Sequence, residues 1–358
     1  LVLGSEGQIG GHLVKYLENN FNYKVIKFDI ISGKSFDLRN FNNKKLEKNI
    51  KKTDFVFFLA FDVGGSRYLK KYQKSFKFLI NNALIIGNVF SLLGKYNKKF
   101  IFASSQMSNM DFSPYGTLKR LGENITTSLK GIYVKFWNVY GIEKEVEKSH
   151  VITDFIKMAI KKKEIKMLTN GNESREFLYA DDCSEGLHKI MKNYNFFLNA
   201  NKEIHLTTSK KTKIIDIAKI IKKILLKKNI NVKIKPANQK DDLQNNINNI
   251  CDKFFLKYWK PKYKIEEGIE KIIDYYNKKN WLVVQALLNK KNIDKIILGT
   301  IFLFFFIINI IYFYLHYYSL IEVESYSFNE LFINYQSGFI RRGLLGEFAW
   351  QLNARFEI

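Results

Sequence analysis

Three glycines spaced three residues apart stand in Gly4-Ser5-Glu6-Gly7-Gln8-Ile9-Gly10, between the apolar run Leu1–Leu3 and the helix-like stretch Ile9–Leu17. A strand that stops on glycine and restarts as a helix leaves a tight turn whose free N–H groups face the same way as the positive helix end. A pyrophosphate can be held there. The spacing alone is a weak signal, but the next β-rich stretch, Tyr23–Asp29, closes on a carboxylate. At that place an aspartate accepts hydrogen bonds from the adenosine ribose and repels a 2′-phosphate, which favours NAD over NADP.

Further apolar runs follow at Asp54–Phe61, Lys99–Ala103 and Ile132–Trp137, with helical stretches at Phe76–Leu93 and Tyr115–Leu129 between them. Short strands joined by helices of this length predict parallel pairing through crossovers, hence a doubly wound α/β sheet over residues 1–140. From about residue 140 the pattern loosens. Helix signals at Val151–Lys162, Cys183–Lys192 and Ile214–Lys228 predict a smaller mixed α/β lobe over 141–280 that returns in places to the first domain.

Charge and cysteine content exclude several function classes. The net charge of +24 comes from 58 Lys and Arg against 34 Asp and Glu, yet only seven of the basic residues are arginine. A phosphate-gripping surface would use arginine forks as well, so nucleic acid is not an expected partner. Cys183 and Cys251 form neither a disulfide framework nor a zinc-binding spacing, and no metal is expected.

Residues 281–358 hold six basic and six acidic side chains, so the whole excess belongs to residues 1–280. A linker at 281–295 leads to Ile296–Ile321, 26 residues without a formal charge, long enough to cross a hydrocarbon core of about 30 Å. Lys290, Lys291 and Lys295 precede it while Glu322 and Glu324 follow, which predicts a membrane-spanning helix with the catalytic part in the cytoplasm and a membrane-protein-like tail at 322–358. The chain opens in the middle of a strand, so a segment upstream of Leu1 is expected.

Tyr115 and Lys119, at i and i+4, share a helix face, and Ser113 with Pro114 gives that helix an N-cap and a first-turn proline. The spacing itself carries no information: with 20 Tyr and 51 Lys chance yields about three such pairs, and the sequence has five. Position singles out Tyr115. It follows the strand Lys99–Ala103 and the hydroxyl pair Ser104 and Ser105, which places it at the carboxyl edge of the sheet, where such folds bind ligands.

Taken in order, GSEGQIG, Asp37-Leu38, VFFLA at 56–60, IFASSQM at 101–107, YGTLK at 115–119, FWNVYG at 136–141 and REFLYADD at 175–182 resemble the extended short-chain dehydrogenase/reductases, the nucleotide-sugar epimerase/dehydratase group. The resemblance covers roughly residues 1–280 and implies a Rossmann domain that binds NAD. It makes Tyr115 the acid/base, Lys119 the holder of the nicotinamide ribose and Ser105 the partner of the reacting hydroxyl. It assigns the cofactor to Gly4, Gly7, Gln8, Ile9, Gly10, Asp29, Asp37, Leu38, Leu59 and Ala60. The substrate, a nucleotide-diphosphate sugar, falls to Ser104, Ser105, Asn138 and Arg175, and a homodimer is implied. Gln106 and Met107 stand where 4,6-dehydratases carry Asp-Glu, which disfavours dehydration. FLAFDVGGSRYL at 58–69 resembles GDP-mannose 3,5-epimerases, although Met107 replaces the cysteine of that subfamily.

A phenol is a poor base at neutral pH, and a neighbouring ammonium together with a cationic nicotinamide favours the phenolate. The expected activity is therefore epimerisation or reduction of a nucleotide sugar for polysaccharide synthesis. A membrane-anchored hydroxysteroid-type dehydrogenase and a non-catalytic NAD-binding regulator are the alternatives.

Overall fold

In the computed structural model, which describes residues 1–145, 147–239, 250–278, 300 and 303–311, the first part of the chain alternates strand and helix. It runs β1 (Val2–Leu3), α1 (Gln8–Asn20), β2 (Lys27–Phe28), α2 (Lys44–Lys52), β3 (Phe55–Phe58), α3 (Ser66–Tyr72), α4 (Phe76–Lys95), β4 (Lys99–Ser105), α5 (Pro114–Ser128) and β5 (Ile132–Phe136). There follow β6 (Asn138–Tyr140), α6 (Val151–Lys162), β7 (Glu164–Lys166), β8 (Ser174–Tyr179), α7 (Ala180–Lys192) and α8 (Tyr194–Asn199). Then come β9 (Ile204–Leu206), β10 (Lys211–Lys213), α9 (Ile214–Lys227) and β11 (Lys233–Lys235). A further helix, α10, occupies 265–278.

Six strands form one sheet in the order β2-β1-β3-β4-β5-β9, parallel throughout. Successive side chains of a strand point to opposite faces. Phe57, Ile101 and Ala103 accordingly join the core under α1 and α7, while Val56, Phe58, Phe100 and Phe102 join the one under α2, α4 and α5. Burial on both faces is why these strands read as unbroken apolar runs. The expected strand Tyr23–Asp29 shrinks to two paired residues, because β2 lies at the sheet edge and meets only the equally short β1. Helix α2 has no counterpart in the sequence reading: of its nine residues only Leu46 and Ile50 are buried, too few to show a period.

A second core gathers Ile152, Phe155 and Ile156 of α6, Phe177 and Tyr179 of β8, Ile217 and Ile221 of α9, and Ile269 and Ile272 of α10. Its strands pair as β10-β8-β6, antiparallel then parallel, and as β11-β7. The chain nonetheless returns to the large sheet through β9 and α7. His12 of α1 lies 2.6 Å from Asp181 of α7 through Nδ1, and its Nε2 accepts the Ile142 N–H at 3.1 Å. Asp182 accepts the N–H groups of Lys262 and Tyr263, both at 3.0 Å, so the Asp-Asp pair ties the late segment down.

Among the described residues one helix, α4, is long and apolar enough to cross a membrane, and it buries Phe78, Ile85, Ile86, Val89, Phe90 and Leu93 as a core helix. The C-terminal unit is separate from residues 1–281. Within it residues 303–311 are helical, with Leu303, Phe304 and Phe306 exposed. The rest of the expected span 296–321, most of the linker before it and the tail after it lie outside the described residues.

Candidate active site

At their carboxyl ends β1, β3, β4 and β5 open on a cavity of about 590 Å³, the place where open α/β sheets bind ligands. Its first wall is backbone. Gly4 has φ +84°, and a Cβ on Gly10 would stand 2.0 Å from the Gly4 carbonyl oxygen. Only glycine lets α1 sit this close to the turn it follows. The Gln8 side-chain amide, turned so that both its atoms are satisfied, donates to the Val139 carbonyl and accepts the Gly141 N–H. Asp29 accepts the Glu6 N–H at 3.0 Å and the Ile31 N–H at 3.2 Å, so it braces the glycine turn as well as facing the cavity.

Asp37, Leu38, Leu59, Ala60 and Ile9 complete this wall. Arg39, absent from the sequence reading, grips Asp37 through Nε at 2.9 Å and Nη2 at 2.7 Å and reaches the Asn81 amide oxygen at 3.1 Å. That hydrogen-bonded guanidinium holds the Asp37 carboxyl below the usual range. A cradle that a methyl group would fill, with a strand-end carboxylate beside it, fits a dinucleotide.

The second element is α5. Its N-cap Ser113 accepts the Gly116 N–H at 3.2 Å and Pro114 opens the first turn. Tyr115 and Lys119 are thereby presented, buried, on the cavity side. Ser105 faces the same cavity as Tyr115, and its hydroxyl accepts the Met107 N–H at 3.2 Å. Lys119 Nζ donates to the Ala103 carbonyl at 2.6 Å and stands 3.7 Å from the centre of the Phe61 ring. Ser104 lines the wall too, but its hydroxyl is committed to the Glu123 carboxylate, so the hydroxyl left to meet a substrate is that of Ser105.

Burial pushes the Tyr115 phenol up to about 12, with Ser105 pulling it partly back. Burial likewise brings the Lys119 ammonium down to about 7, against the raising influence of Glu123. Desolvation is the larger influence on both groups.

The opposite wall comes from β6 and the segment before α6. Asn138 lines it and donates through Nδ2 to the Glu176 carbonyl at 3.3 Å. Arg175 does not join it. That residue sits on β8 opposite Thr212 of β10, outside the cavity lining, with Nη1 donating to the Ser174 carbonyl at 2.9 Å.

Residues that pattern reading passed over take its place: Asp62, Glu143, Lys148 and His150. Lys148 lies 3.3 Å from Asp62, whose carboxylate also accepts from Tyr68 at 2.7 Å and Asn81 at 2.9 Å. His150 Nδ1 meets Glu143 at 2.6 Å. Loss of water around the imidazole opposes its charge, and the Glu143 carboxylate more than offsets this, so His150 is held above its usual value. The signal available in the sequence was Gly64-Gly65: a Cβ on Gly65 would stand 2.4 Å from the Ser149 carbonyl oxygen, which binds the two segments together.

Residues 1–201 match the family described as "NAD dependent epimerase/dehydratase family". UDP-glucuronic acid decarboxylase 1 of Danio rerio is 21% identical, the alignment covering 78% of this chain and 72% of that one. Two solved structures share the fold. UDP-N-acetylglucosamine 4-epimerase from Methanobrevibacter ruminantium, in complex with UDP-N-acetylmuramic acid, has 22% identity and a TM-score of 0.61 over 78% of this chain and 97% of that one. UDP-glucose 4-epimerase of Thermus thermophilus, complexed with NAD, has 17% identity and a TM-score of 0.62 over 77% and 98%. With the family match running over more than half its length, the chain belongs to the NAD-dependent epimerase/dehydratase family, and NAD is its cofactor.

Proposed function

We propose that the chain epimerises a nucleotide sugar through a transient keto sugar, with Tyr115 as acid/base. The observation that carries this reading is that Ser105, Tyr115 and Lys119 line one cavity with the glycine cradle. Bound NAD supplies an acceptor for the hydride of a sugar carbinol carbon and returns it. Ser105 orients the reacting hydroxyl, and Tyr115 removes its proton as the carbonyl forms, then gives the proton back as the hydroxyl is restored. Lys119 holds the ribose and contributes positive charge next to the phenol. Inversion follows when the keto sugar turns its other face before reduction, so the reaction has no net redox change.

Dehydration is disfavoured because the two positions after Ser105 hold Gln106 and Met107, both buried, and no carboxylate. The Danio rerio relative makes decarboxylation of a UDP-uronate the second reading.

To test the proposal, the full chain is incubated with NAD and UDP-, GDP- and dTDP-sugars in deuterated water and the products are read by NMR. Inversion at C4 without carbon-bound deuterium supports the keto route, and deuterium at C3 or C5 replaces it with enolisation. Loss of C6 from UDP-glucuronate as carbon dioxide establishes the second reading. No turnover of any sugar by NAD-loaded protein sinks both. Tyr115→Phe should cut turnover by about 10³-fold while NAD still binds.

A further inference from the structure

Two consecutive residues at the end of β4 each hold one residue of α5: the Ala103 carbonyl accepts from Lys119 at 2.6 Å, and the Ser104 hydroxyl donates to Glu123. Tyr115, Lys119 and Glu123 are spaced by four, so they stack on one helix face, and all three are buried. The reaction proposed above uses the first two. A carboxylate taken out of water is costly unless it is paired, so the third rung needs an account.

Behind Glu123 lies Lys135 of β5, only 2% exposed, with Nζ 3.8 Å from the Glu123 carboxylate. Lys135 is held more closely by Glu203, at 2.6 Å, and by the Asn109 amide oxygen, at 3.2 Å. Glu203 also accepts from Tyr133 at 3.4 Å and meets His205 Nε2 at 3.0 Å. The nearer partner of Lys135 is thus Glu203, while Glu123 lies one helical turn from Lys119 on the same buried face of α5.

We propose that Glu123 is a positioning residue of this active site: anchored by Ser104 and partly balanced by Lys135, its carboxylate sets the charge carried by Lys119 one helical turn away. The inference rests on Lys119 serving the reaction proposed above. The other contacts of Lys119 are a neutral carbonyl and aromatic rings, those of Phe61 at 3.7 Å and Phe102 at 5.0 Å. Among the groups facing this amine, Tyr115 and Ser105 are uncharged at neutral pH, and Lys135 opposes a second cation. Glu123 is the carboxylate that counters burial and keeps a share of Lys119 protonated.

The test needs neither sugar nor turnover, so it fails or succeeds apart from the epimerase reading. The full chain, free of cofactor, is treated with acetic anhydride across a pH series, and acetylation of the Lys119 peptide is followed by mass spectrometry. Only the neutral amine reacts. In the parent chain reactivity should rise near neutral pH. In Glu123→Gln the profile should move about one pH unit toward acid, and in Glu123→Asp by a smaller step in the same direction. Thermal unfolding of each variant establishes that it is folded; should Glu123→Gln not fold, the Glu123→Asp profile decides. A profile coincident with the parent's, or displaced toward alkali, overturns the proposal.

Discussion

The two walls of the cavity are built on different principles. The cofactor wall is backbone: a turn at Gly4–Gly10 that no side chain could enter, and a strand end whose carbonyl and hydroxyl grip α5. The facing wall is a set of paired charges, with Lys148 on Asp62, His150 on Glu143 and Lys144 reaching across to Glu6 of the glycine turn. A backbone wall fails as a whole when one Cβ is added. The more exposed pair, Lys144 with Glu6, contributes about 0–1 kcal/mol and can be exchanged one partner at a time. Under the proposed function, the fold can hold its dinucleotide fixed while the facing wall varies.

The sharpest way to break this comparison is Gly10→Ala. The new methyl would lie 2.0 Å from a backbone oxygen, so the helix must move off the turn. NAD affinity, measured by calorimetry, should fall at least about 100-fold, some 3 kcal/mol. Gly87→Ala is the control. Nothing lies within 4 Å of its Cβ position on α4, and the change should stabilise the fold by about 0.5–1 kcal/mol. If Gly10→Ala binds NAD as tightly as the parent, the first wall is not the backbone device described.

A second test of the cofactor wall uses pH. Lys119 has its folded-state value lowered to about 7 from an ordinary 10.5. Between those values the unfolded chain binds more protons than the folded one, so this residue's contribution to stability rises with pH through the window and is lost as pH falls through 7. Lys119→Met should therefore flatten the stability profile between about pH 7 and 10 and raise stability near pH 7, by about 2–5 kcal/mol relative to the parent chain. Denaturant titration at several pH values measures this. Parallel profiles for the two proteins would mean that the lysine is not desolvated as the geometry requires.

What was legible in the sequence follows the same division. The glycine turn, Asp29, the Ser113-Pro114 start of α5 and the rungs Tyr115 and Lys119 are local constraints, each written within a few residues; the structure starts α5 at Pro114 and places the three glycines, Asp29, Tyr115 and Lys119 on one cavity. The paired charges were not legible, because the partners Lys148 and Asp62 are 86 positions apart, and Gly64-Gly65 marks a close backbone approach without marking the charges beside it. Arg39 was hidden by a different cause: it reaches the cavity through its grip on Asp37, a contact of side-chain geometry rather than of pattern. How strongly burial perturbs Tyr115 and Lys119 was not legible, because spacing shows that two groups are neighbours but not how dry their surroundings are.

Arg175 supplies the finest probe of the second wall, since the resemblance and the structure give it different places. If the strand register holds, its side chain belongs to the β8–β10 surface, and Arg175→Gln should change the KM for a UDP-sugar by less than about twofold. Lys148→Met, by contrast, removes a cation from the cavity wall and leaves Asp62 with only its neutral partners Tyr68 and Asn81. A rise in KM of about 2–5-fold with kcat little changed is expected, the loss of one partly screened pair. A steep rise in KM for Arg175→Gln together with silence at Lys148 would exchange the two assignments. The diphosphate would then be held from the β8 edge, and the charge lattice would be scaffolding for α6 rather than a surface that meets substrate.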